Sequence, residues 1–137
     1  MDRLSPHMNK IINKPITTLK IRLPEYKSPR LKWRKAIHDE LLKTNFVYPS
    51  VQLKLELLIT LYLPESDLKK HDVDNRLKDI MDALQGRIGG SKRNTSYKQI
   101  IQNDNRIYRV TITKQEPPKQ SRGLGHLTVR KYKGVKS

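Results

Sequence analysis

The sequence predicts a small α/β domain of the mixed α+β kind, a mixed β-sheet with two helices in the order β-α-β-α-β. Three observations predict it. Apolar residues alternate in three separated runs, two intervening stretches carry apolar residues at helical spacing, and 137 residues is the length of one domain. Such a chain buries a real core without help from disulfides or structural metal, and with no cysteine it has neither a disulfide nor a thiolate zinc site.

The elements follow in order. Residues 1–14 read as a flexible polar lead-in. From Thr17 to Leu23, Leu19, Ile21 and Leu23 alternate with Thr18, Lys20 and Arg22, the period of a strand, and Pro24 ends it. Ser28-Pro29 reads as an N-cap followed by proline at the first helical position. The helix it opens runs to about Lys43, with Trp33, Ala36, Ile37 and Leu41 as its buried stripe. Its first turns carry Arg30, Lys32, Arg34 and Lys35, where the helix dipole disfavours cations; they read as solvated surface residues, or as residues facing an anionic partner.

Val51 to Leu63 is the clearest element. Every odd position is apolar, and Gln52, Lys54, Glu56 and Thr60 lie opposite, so one face is buried. Leu58 and Tyr62 share the second face and call for cover from the tail or another subunit. Pro64 closes the strand. A second helix runs from about Val73 to Gln85, with Val73, Leu77, Ile80, Met81 and Leu84 at helical spacing and Gly86 as C-cap. Residues 87–102 form a long basic loop without an acidic residue. Alternation returns from Ile107 to about Lys114, the third strand. The folded domain therefore spans 15–116. Residues 117–137 form a basic tail, disordered or adding a short edge strand around Leu127 to Val129.

Charge narrows the function. Lys and Arg number 29 against 13 Asp and Glu, a formal charge of +16. A small domain so basic points to a polyanion, most often nucleic acid, because each phosphate contact releases condensed counterions. No apolar stretch approaches a membrane span, and the first residues hold no apolar signal core. The expected protein is soluble and cytoplasmic, associated with the nucleoid.

Clustered carboxylates in so basic a chain need a reason. Asp72 and Asp74 flank the start of the second helix, and Asp104 stands just before the third strand. Three carboxylates with open water positions suit Mg²⁺, with Mn²⁺ as a substitute. Such an ion polarises a phosphodiester and activates water. Lys78, four residues after Asp74, falls on the same helical face and can hold that carboxylate or meet developing negative charge. The structural alternative is equally concrete: Asp72 and Asp74 as an N-cap and a first-turn acid, Asp74–Lys78 as a surface ion pair, and Asn103-Asp104-Asn105 as a turn. The D-x-D spacing fails as a calcium loop, because Leu77 replaces the required glycine and Ala83 the final glutamate. His71, beside Asp72, reads as a solvated loop histidine rather than a general base. Tyr97 and Tyr132, each among basic residues, are candidates for stacking on bases.

The run from His71 through Asp72-Val73-Asp74-Asn75 and Lys78 to Asp82-Ala83-Leu84-Gln85-Gly86, followed by Asn103-Asp104-Asn105-Arg106-Ile107, resembles the signature of the RusA family of Holliday-junction resolvases. The likeness covers about 51–114. It implies a Mg²⁺-dependent endonuclease of recombination and repair, a homodimer that resolves four-way DNA junctions by paired, symmetrical nicks. By motif, Asp72, Asp74 and Asp104 become the metal-holding carboxylates and Lys78 the supporting lysine, while Asp82 is structural. Asn103 stands where the family usually has an acid, and 87–102 is a longer, basic insertion. Lys69, Lys70, Arg76, Arg87, Lys92, Arg93 and Lys98 are then expected to track phosphates. The competing reading is a non-catalytic basic protein that binds DNA or RNA.

Overall fold

The computed structural model describes residues 18–46, 53–88 and 97–134. Its strands are β1 (Thr18–Leu23), β2 (Leu55–Tyr62), β3 (Ile107–Gln115) and β4 (Gly125–Lys131); its helices are α1 (Arg30–Lys43) and α2 (Val73–Leu84). They form one four-stranded mixed sheet in the order β1-β4-β2-β3, with both helices contributing to the core on one face. The predicted class and the first five elements stand as expected. Among the described residues no helix is long and apolar enough to cross a membrane.

The main difference is β4. The expected tail supplies an interior strand, antiparallel to both β1 and β2, so the sheet extends to Lys131 and its edges are β1 and β3. Leu127 and Val129 are fully buried, and Gly125 passes so close to β2 that a Cβ there would lie 1.7 Å from the Thr60 carbonyl oxygen. Its φ of +145° is also a conformation that side chains rarely adopt. Strands β2 and β3 pair in parallel, joined by the crossover that contains α2.

The alternation in β2 does what its pattern requires. Leu55, Leu57, Ile59 and Leu61 are buried beneath the helices with Trp33, Ile37, Leu41, Ile80 and Leu84. The Trp33 indole N–H donates to the Pro24 carbonyl (2.9 Å), which ties α1 to the end of β1. Helix α1 begins one residue later than its sequence suggests. Pro29, extended at φ −75° and ψ 169°, takes the N-cap position, and no side chain caps the helix. His38 joins its buried face, its Nε2 donating to the Lys98 carbonyl (2.7 Å), whereas Ala36 is only half-buried. Helix α2 ends as expected: Gly86 has φ +75°, the Gly86 N–H bonds to Ala83 and the Arg87 N–H to Asp82, closing a Schellman turn.

Between β2 and β3 the register shifts at Leu55/Glu56, so the ladder passes from Leu55↔Ile107 to Glu56↔Arg109 and skips Tyr108. This bulge leaves Ile107 packed on the core and Tyr108 exposed, although Tyr108 alternates in the sequence with Val110 and Ile112, which do pack on the core.

Candidate functional site

Helix α2 presents the D-x-D motif at its N-terminus. Asp72 is the N-cap, with one carboxylate oxygen accepting the Asp74 N–H (3.0 Å) and its carbonyl accepting the Arg76 N–H (3.0 Å). Asp72, Asp74 and Lys78 are all exposed. The cap leaves the second Asp72 oxygen and the whole Asp74 carboxylate facing solvent at the positive end of the helix dipole. No ion pair joins Asp74 to Lys78, so the expected bridge is absent and the lysine has no acidic partner among the described residues.

Asp104 is elsewhere. It opens a single 3-10 turn, capped by Asn103, whose side chain accepts the Asn105 N–H (3.0 Å). Chain direction separates it from the D-x-D pair. The N–H groups of Ile100 and Ile101 bond to the Leu84 carbonyl at the C-terminus of α2, and Ile107 pairs with Leu55 at the start of β2. The N-terminus of α2 follows the other end of the sheet, where Lys114 Nζ donates to the Leu68 carbonyl (3.2 Å). Between the two lies a 12-residue helix, about 18 Å at 1.5 Å per residue. Consistent with this, the described residues of one chain contain no group of three His, Asp or Glu able to hold a metal. The structure brings Asp72 and Asp74 together and leaves Asp104 apart.

The expected phosphate contacts divide similarly. Lys69, Lys70, Arg87 and Lys98 are exposed, while Lys92 and Arg93 lie outside the described residues. Arg76 is a correction: it is only 4 % exposed, its guanidinium lies over the Tyr26 ring (4.2 Å), and it pairs with Asp79 (3.3 Å). Asp79, fully buried, also accepts from Arg34 Nε (2.8 Å) and Arg30 Nε (3.1 Å), and Arg34 reaches Asp82 (3.1 Å). The anionic partner of the α1 cations is therefore internal for Arg30 and Arg34. This hub locks α1 against α2 directly behind the D-x-D turn. Its sequence signal was a pair of arginines one turn apart on α1 and an aspartate beside the apolar stripe of α2. Asp82, read as structural, is part of it.

His71 is also corrected, being buried and edge-on to Tyr26 at 5.0 Å. Burial first, then the Arg76 charge, lowers its pKa below the ordinary 6.5. The unfolded chain then binds this proton before the folded one does, so the group destabilises the fold as pH falls below about 6.5. In EDTA, the urea midpoint is expected to drop between about pH 7 and 5.5, and His71→Gln to reduce that drop; an unchanged slope in the variant would contradict the assignment. Tyr97 and Tyr132 are both half-buried; Tyr97 lies edge-on to His38, whereas Tyr132 is stacked on the exposed Tyr108.

A scan against protein-family models finds no match, and a search of curated proteins finds none either.

Proposed function

We propose that the chain is a metal-dependent endonuclease that nicks branched DNA at four-way junctions and works as a homodimer. The observation that carries this reading is the exposed Asp72-x-Asp74 turn at the α2 N-terminus, with Lys78 unpaired one turn along, in a chain of charge +16. The resemblance of this segment to the junction resolvases supplies the substrate class.

The donor set fits Mg²⁺. That ion takes one or two carboxylates and fills its remaining positions with water and substrate phosphate. Asp72 and Asp74 would hold it. When bound, it polarises the phosphodiester and lowers the pKa of a coordinated water. Lys78, exposed one turn after Asp74 on the same helix, would meet negative charge developing on the phosphate. Lys69 and Lys70, in the turn before the motif, attract neighbouring phosphates. In this reading Asp104 of a second copy would complete the ligand set, because its own α2 N-terminus is a helix length away. A two-fold dimer then carries two sites, which matches paired nicks in a symmetrical junction.

Mixing variants tests this arrangement. Asp74→Asn and Asp104→Asn proteins, each inactive alone, are expected to regain nicking when unfolded and refolded together, since half of the sites in a mixed dimer then hold both wild-type groups. No recovery, with wild type active after the same treatment, would contradict a site shared between copies. The capping bond of Asp72 and the separation of Asp104 favour a second reading, a binding protein whose aspartates serve only the fold; Mg²⁺-independent junction binding without cleavage would establish it.

A further inference from the structure

The helices cover one face of the sheet, and among the described residues no element packs on the other. Its outward positions hold Lys20 and Arg22 on β1, Arg109 on β3 and Arg130 on β4, all exposed. Among the outward positions of these strands the single carboxylate is Glu56, buried beneath Arg130 (2.9 Å) with Arg109 at 3.9 Å. Glu56 accepts a hydrogen bond from Arg130 and, being buried, offers no negative surface. At the lower end of this face the β3 bulge turns Tyr108 outward, 51 % exposed, onto Tyr132, with ring centroids 5.6 Å apart and stacked. Lys54 Nζ lies 5.1 Å from the Tyr108 ring and Arg109 5.4 Å from the Tyr132 ring.

We propose that this face binds single-stranded DNA, with an unpaired base stacked on the Tyr108/Tyr132 pair and the backbone tracking Lys54, Arg109 and Arg130 toward β1. An exposed aromatic face flanked by cations fits unpaired nucleotides, whose bases present π-faces and whose phosphates need positive charge; the bases of a duplex are already stacked on one another. A protein partner of apolar character would meet five cations here, and a second copy of the chain would bring the same positive face against itself. The choice of DNA rests on the proposed function, whereas the stacking site does not. It lies on the opposite side of the sheet from α2, so it would hold an unpaired strand while the Asp72–Asp74 turn meets another.

The test is fluorescence anisotropy with a labelled oligothymidylate and with a duplex of equal length, both in EDTA so that no nicking enters. Tyr108→Ala and the Tyr108→Ala/Tyr132→Ala double variant are expected to lose about tenfold or more in single-strand affinity, with duplex affinity changed less than about twofold. Tyr108→Phe keeps the ring and is expected to retain binding. Arg109→Gln is expected to weaken both ligands and to lower the salt dependence by about one phosphate contact. Equal losses for single strand and duplex, or none, would overturn the stacking site. Tighter binding of oligouridylate than of oligothymidylate would overturn the choice of DNA. A shift from dimer to monomer in sedimentation with Tyr108→Ala, at unchanged oligonucleotide affinity, would make a second copy the occupant and overturn the proposal. Failure of Mg²⁺-dependent nicking would strike the nuclease reading and leave these binding outcomes standing.

Discussion

Asp74→Asn is expected to reduce Mg²⁺-dependent junction nicking by at least about a hundredfold while leaving the fold intact. Asp74 is exposed, and it is the Asp72 carboxylate, not its own, that caps α2. The asparagine keeps the size of the side chain and loses only its charge, so thermal stability should barely change. Junction affinity in EDTA should hold or rise, since one negative charge near phosphate is gone. This combination separates a catalytic carboxylate from a structural one. A structural aspartate would show lower stability and similar nicking. Replacing Asp72 is less clean, because it removes a helix cap worth about 1 kcal/mol along with the charge.

The second large effect is on stability. Asp79 is fully buried among Arg30, Arg34 and Arg76, and Arg76 is 4 % exposed, its Nε and Nη1 already without hydrogen-bond partners. Asp79→Ala leaves that guanidinium buried with no counter-charge, a change that costs about 3–5 kcal/mol in comparable sites. For a domain of this size that is a fall in Tm of more than about 10 °C. Arg30 is partly exposed to water and Arg34 keeps Asp82 as a partner, so Arg76 carries most of the effect. Asp79→Ala combined with Arg76→Met should recover much of the loss, because the unpaired buried charge is then gone. Thermal melts of the two variants check both statements. An Asp79→Ala protein melting with wild type would show that the hub does not hold α1 to α2.

Much of this architecture is legible from the residues. The unbroken odd-position leucines and isoleucine of β2 allow no other register, and the helix stop at Gly86 reads directly from its residue type. Where reading fails, an interaction distant in sequence decides. Strand β4 has only Leu127 and Val129 as apolar markers among basic residues, and its central place depends on pairing with β1 and β2 on both sides. Arg76 looks like a surface cation until Tyr26 and the α1 residue Trp33 cover its guanidinium and Asp79, shared with Arg30 and Arg34, pairs with it. Tyr108 looks like a core residue until the bulge rotates it outward. At the candidate site, the exposed pair Asp72 and Asp74 was readable from local spacing, because both belong to one turn. The expected meeting with Asp104 was not, since spacing along the chain says nothing about which end of α2 the third strand begins beside.

The most direct test of the nuclease reading is cleavage of a labelled synthetic four-way junction by the wild-type protein, with Mg²⁺ and with EDTA, beside a linear duplex of the same sequence. The expected result is paired nicks at symmetrical positions, confined to the junction and dependent on Mg²⁺. Tight junction binding with no cleavage in Mg²⁺ or Mn²⁺ would contradict it, and would make the α2 aspartates parts of the fold alone.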